Sequence, residues 1–277
     1  MNNSITVGVA DKQHAALSYA AAEAVRIGCD LTVLHAYTVP PGPPTALSTA
    51  YGVDIEEAFR ESGRLVLADA ADYLVLEHPG LLVTGVLARG PASKALAEES
   101  ALARMVVIGP DDAQPWYLRL FESRVARRLA EHSSCPVVVV PDTWDGDADS
   151  RGVTLMLDGE TTAHEPLRFA FEAADRGSRR LRIIHVLEPD DGGSDSRVWR
   201  EMTHLIDLWG ATHPHVLVTT TVITGVADLT TIGSLEKTGL LVLGRSHESR
   251  HITALSRSLA QKVIEHASCP VAVVPPV

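Results

Sequence analysis

The chain repeats itself, and this duplication restricts its fold more than any other feature of the sequence. Residues 5–11 read ITVGVAD, and residues 153–159 read VTLMLDG. LTVLHAY at 31–37 returns as LRIIHVL at 181–187, and VVIG at 106–109 returns as LVLG at 241–244. The closing pair, EHSSCPVVVVP at 131–141 and EHASCPVAVVP at 265–275, is nearly identical. Four blocks in the same order define two copies of one domain, assigned to residues 1–146 and 147–277. Between them, 142–151 reads DTWDGDADSR, acidic and without apolar periodicity, and is expected to run over the surface.

Each copy alternates short apolar runs with longer helical patterns. The runs predict strands at 4–10, 31–37, 81–88, 105–109 and 136–140, and again at 152–157, 181–187, 216–223, 240–244 and 270–274. Helical spacing predicts helices at 14–28, 54–77, 91–103 and 120–132, then 164–176, 196–210, 227–237 and 254–266. Alternation of this kind means βαβ units and a parallel sheet with helices on both faces. The strands are apolar throughout, as burial on both faces requires. The expected fold class is α/β: two tandem, doubly wound, parallel five-stranded sheets. Duplicated domains are expected to pair about a pseudo-twofold axis, as a homodimer does.

Composition removes several classes of function. The 277 residues carry 24 Lys and Arg against 35 Asp and Glu, a net charge of -11. That balance opposes broad electrostatic binding of nucleic acid or an anionic membrane. No apolar run reaches the length of a membrane span, and the first residues lack the shape of a signal peptide. Three cysteines, Cys29, Cys135 and Cys269, make no disulfide framework. A cytoplasmic location is the expectation.

In an open parallel sheet, ligands bind outside the carboxyl ends of the strands where strand order reverses. The residues there are Ala10, Asp11, His35, Ala36, Gly109 and Pro110 in the first copy. In the second they are Asp158, Gly159, His185, Val186, Gly244 and Arg245. A second strand carrying His, a glycine after the fourth, and the closing Cys135-Pro136 and Cys269-Pro270 elements together resemble the universal stress protein family. The resemblance covers nearly the whole chain, twice, in the manner of tandem, actinobacterial-type members. It implies an adenine nucleotide alpha hydrolase-like fold and pairing through the last strands, here 136–141 and 270–276, which would leave neither apolar edge bare. In ATP-binding members it also implies a loop of the form G-x-x-G, nine residues, then G-S or G-T. Glycines there let the backbone approach phosphates, and N–H groups of the following helix point at the anion.

Both copies depart from that loop. In the first, Gly109 holds the first position, Asp112 replaces the second glycine, and Ser123 keeps the hydroxyl. Counting back from Cys135 shifts the closing pair by one, to Ser123 and Arg124, and the glycine is missing either way. In the second, Gly244 is followed by His247 and Arg257 at glycine positions, and Ser258 keeps the hydroxyl. The family's strand-one Asp is matched by Asp158, whereas Ala10 stands in the first copy with Asp11 one place later. Ala36 and Val186 are the residues the resemblance places against a base.

Two carboxylates, Asp111 and Asp112, lie where phosphates would. At about 4 Å each would repel a phosphate by several kcal/mol at an effective dielectric near 20. The first site therefore reads as empty, under a solvated acidic loop. The second carries Arg245, His247, Arg250, His251 and Arg257 within thirteen residues. Either these cations replace the glycine cradle and hold a small anion or nucleotide, or they are solvated and paired with the chain's excess acids. ATP or another adenine nucleotide with Mg is the cofactor to consider there. His35 and His185 read as packed, hydrogen-bonded histidines, and Cys135 and Cys269 as small buried hydrophobes. His213 and His215 flank Pro214 in a turn without other metal-ligand types at ligand spacing, so no metal site is expected. No nucleophile–base pair is present, so the chain is read as non-catalytic. The alternative is an ATP-binding, slowly hydrolysing protein. A protein partner, or a homodimer of tandem chains, is compatible with either.

Overall fold

The computed structural model describes residues 3–10, 13–39, 54–109, 124–146, 151–158, 164–187, 195–224, 238–245 and 269–276. In the first half, β1 (Ser4–Gly8), β2 (Asp30–Tyr37), β3 (Val83–Arg89), β4 (Met105–Ile108) and β5 (Val137–Val139) alternate with helices. These are α1 (His14–Ile27), α2 (Ile55–Glu77), α3 (Ala92–Glu99) and α4 (Arg124–His132). The second half holds β6 (Gly152–Asp158), α5 (His164–Arg176), β7 (Leu181–Leu187), α6 (Asp195–Thr212), β8 (Val218–Thr224), β9 (Thr238–Gly244) and β10 (Val271–Val274).

The two five-stranded sheets expected from the sequence are halves of one ten-stranded sheet, ordered β3-β2-β1-β4-β5-β10-β9-β6-β7-β8. Within each half every pairing is parallel. At the centre β5 and β10 run antiparallel, with Val139 opposite Val271, Val138 opposite Ala272 and Val137 opposite Val273. The order reads the same from either edge, which is the pseudo-twofold relation the duplication implies. Strand order reverses between β1 and β4, and between β6 and β9, as in other doubly wound sheets.

Alternation along the strands sorts side chains onto two faces. Ile5, Val7, Met105 and Val107 pack with α1 and α2, and Val153, Leu155, Leu167 and Phe171 continue that layer into the second half. Val106, Ile108, Val137 and Val139 face α3 and α4, against Leu96 and Leu129. The Ala-rich α1 lies close to the sheet with Ala20, Ala21 and Ala24 fully buried. It stops at Gly28, whose φ of 71° lets its N–H reach the carbonyls of Ala24 and Val25. Asp54 caps α2 by accepting from the backbone N–H groups of Glu56 at 3.0 Å and Glu57 at 3.2 Å. A repeated aromatic contact ties neighbouring helices together. His14 opens α1 and stacks on Tyr73 at 4.5 Å, and His164 opens α5 and packs edge-on against Trp209 at 5.7 Å.

Two elements differ from the sequence reading. The helix expected at 91–103 ends at Glu99, because the Ser100 hydroxyl donates to the Ala97 carbonyl and the chain turns toward β4. The linker does not run wholly over the surface: Trp144 is buried edge-on against Tyr19 at 5.3 Å. A large indole gains more from burial than its acidic neighbours gain by keeping the segment solvated. The helices expected at 227–237 and 254–266 lie outside the described residues, as do residues 40–53 between β2 and α2.

Candidate functional site at the strand ends

In the first half, the carboxyl ends of β1, β2 and β4 surround an open crevice. Ala10 and Ala36 stand at its mouth, and Gly109 follows β4 on the opposite side. Leu34, Ile108, Leu96 of α3 and Val125 of α4 form apolar walls, and Gln13, just before α1, reaches over Gly109. Two glycines shape it. A Cβ on Gly8 would lie 2.9 Å from Leu96 Cδ1, and one on Gly109 would lie 3.0 Å from Gln13 Cδ. A side chain at 109 would therefore press on the Gln13 amide, which would have to shift by a few tenths of an ångström. Among the described residues, no side chain lining this crevice is ionisable. Asp112 and Ser123 lie outside the described residues.

Alternation turns His35 away from the crevice that Leu34 and Ala36 line. Its Nδ1–H donates to the Val9 carbonyl at 2.8 Å, joining the ends of β1 and β2. Gly63 of α2 leaves room for the ring, since a Cβ there would lie 2.9 Å from His35 Cδ2 and 2.6 Å from Leu87 Cδ1. His35 is thus a packing residue, and His185, at the matching place on β7, is buried as well.

In the second half, Asp158 ends β6 beside Val186 of β7, and Gly244 ends β9 beside Val274. Register supplies a comparison that counting along the sequence cannot. Thr6, Val7 and Gly8 pair with Thr32, Val33 and Leu34, so the same register carried forward sets Ala10 beside Ala36. Asp158 beside Val186 is the equivalent pair, and Ala10 is the structural counterpart of Asp158. Backbone geometry thus gathers Asp158, Val186 and Gly244 at one end of the sheet. Arg245 follows, but its guanidinium crosses to the first half, where Nη1 donates to the Ser133 carbonyl at 3.0 Å. Gly159, His247, Arg257 and Ser258 lie outside the described residues.

Cys135, Cys269 and His213 are packed into the fold. Burial pushes the thiols of Cys135 and Cys269 up to about 12, so neither is a nucleophile at neutral pH. His213 packs between Phe171 and Trp209, with Nδ1 3.2 Å from the Trp209 carbonyl. Among the described residues, no three His, Cys, Asp or Glu side chains gather as a metal site. Sequence reasoning missed Gln13 and Leu96 as crevice residues. Gln13's place before the first helix residue was the available signal; Leu96 reads only as core.

A duplicated, doubly wound parallel sheet, with strand order reversing once in each half, defines a class of tandem α/β proteins. The chain belongs to the universal stress protein family, whose model matches residues 1–141 and again 151–275. It is 26% identical to a universal stress protein of Mycolicibacterium smegmatis, over 98% of this chain and 97% of that one. It is 24% identical to one of Mycobacterium tuberculosis, over 97% and 95%. Its fold is shared with a universal stress protein from Archaeoglobus fulgidus, at a TM-score of 0.71 and 19% identity, covering 99% of this chain and 97% of that one.

Proposed function

We propose that the protein is a non-catalytic stress-response module in which only the second half takes a small anionic ligand, with an adenine nucleotide and Mg as the probe of choice. The observation that carries this reading is the exchange of Asp158 for Ala10 at equivalent register positions. A carboxylate at a strand end accepts hydrogen bonds from a sugar hydroxyl, and an alanine cannot. Among the described residues, the first crevice is lined by apolar side chains and one amide, none of which offers a positive charge to a phosphate. Arg257 and His247 in the second copy supply cations where the family pattern has glycine, and cations hold phosphate through charge-assisted bonds.

The test is the thermal midpoint of the full chain with and without millimolar MgATP. A ligand at a hundredfold excess over its Kd stabilises by about 2.7 kcal/mol. Asp158→Ala is expected to remove the shift, and Gln13→Ala in the first half to leave it unchanged. If no adenine nucleotide moves the midpoint, the reading is wrong. If phosphate accumulates from MgATP at a rate that Asp158→Ala abolishes, the protein is a hydrolase and not an inert module.

A further inference from the structure

Arg245 stands directly after Gly244, where β9 leaves the sheet. Its backbone N–H donates to the Val274 carbonyl at 2.8 Å, which fixes the residue at the carboxyl end of β9. The side chain then spans the seam to the Ser133 carbonyl at 3.0 Å. Ser133 lies between α4 and β5 and is buried. Its amide donates to the Leu129 carbonyl at 2.8 Å, and its hydroxyl to the Cys135 carbonyl at 2.9 Å. The next amide, Ser134, donates to Ser100 Oγ at 3.0 Å, and Ser100 closes α3. Hydrogen bonds therefore run from the end of β9 into α4 and α3, the helices whose Val125 and Leu96 wall the first half's crevice.

Two features make Arg245 more than a surface contact. Burial lowers its pKa from the ordinary arginine value, so the charge sits in a partly dry seam where a hydrogen bond counts for more. The bridge is also one-sided. The residue after Gly109 in the first copy is Pro110, whose side chain has no donor.

We infer that Arg245 is a positioning residue that couples the two halves, passing the state of the second half's strand end through Ser133 to the α3 and α4 walls of the first crevice. This rests on the reading of the second half as the ligand-taking half. An anion arriving beside Gly244 competes for the guanidinium, because a bond to an anion is stronger than one to a neutral carbonyl. The Ser133 carbonyl is then left without that donor, and the turn at 133–135 loosens. Linkage makes the effect reciprocal: whatever tightens that turn strengthens the hold of Arg245 on the first half.

Hydrogen exchange on the full chain tests this, comparing wild type, Arg245→Met and Arg245→Lys over the peptide 129–134. Without ligand, Arg245→Met is expected to raise exchange there about tenfold, the scale of losing one hydrogen bond to a charged group, with β3 and β8 unchanged. Arg245→Lys keeps a donor and is expected to stay near wild type. Millimolar MgATP is expected to raise exchange at 129–134 in wild type and to add nothing in Arg245→Met. If Arg245→Met exchanges like wild type without ligand, the bridge does not hold the turn and the inference is overturned. If MgATP moves the thermal midpoint of wild type yet leaves 129–134 untouched, the proposed function stands and the coupling fails. If MgATP moves neither, both fall together.

Discussion

Single residues set the tightest constraints on this protein, and several act through space, not charge. Gly63 is one: α2 touches His35 and Leu87 so closely that a side chain there must displace both. Gly63→Val is expected to destabilise the chain by about 1–3 kcal/mol, measurable as a lower urea midpoint at unchanged slope. The buried thiols give a pH signature. An ordinary thiol titrates at 9.0, and those of Cys135 and Cys269 are pushed up to about 12. The folded state keeps these protons where the unfolded state has lost them. Their contribution to stability is therefore whole below pH 9 and is lost as pH rises toward 12. Melting midpoints are expected to fall over that window, and to fall less in the Cys135→Ala, Cys269→Ala double variant; equal slopes would contradict the assignment. The exchange of Asp158 for Ala10 was legible from the sequence, because the flanking blocks align. The role of Ser133 was not, because its carbonyl makes the contact and every residue has a carbonyl.

Elements carried by strong periodicity agree with the sequence reading, and their ends do not always. β7 and α5 fall at the residues expected, whereas α3 stops four residues short of the periodic pattern. Leu102 and Ala103 continue that pattern, but Ser100 breaks the helix by bonding backward, a choice that apolar spacing does not encode. Caps are the readable exception. Asp54 precedes an acidic first turn, and Asp54→Ala is expected to cost about 1 kcal/mol, seen as a lower thermal midpoint. The two outer strands are not equally protected. α2 lies along β2 and β3, while α6 leans on α5. Thr219, Thr220, Thr221 and Val222 of β8 are all exposed as a result. Amides of Val218–Thr224 are expected to exchange faster than those of Val83–Arg89, and the reverse order would mean that β8 is better covered than its exposure indicates.

For the molecule as a whole, the decisive element is the three-residue antiparallel join between β5 and β10. Val137, Val138, Val271 and Ala272 are almost wholly buried there, and each valine left bare forfeits about 1.5 kcal/mol or more. The first half expressed alone, as residues 1–146, is accordingly expected to pair with itself through β5 and to scatter light as a dimer. A stable monomer would show that the seam is dispensable. Duplication made this join foreseeable, since both copies end in the same apolar strand; its three-pair register was not, because identical valines fit several offsets. The reversal of direction at that join has a geometric outcome. Strands of one half point toward one rim of the sheet and strands of the other half toward the opposite rim, so the two sets of carboxyl strand ends look outward back to back. Anything that touches one rim meets the strand ends of a single half, and contact with both sets requires reaching the molecule from two sides.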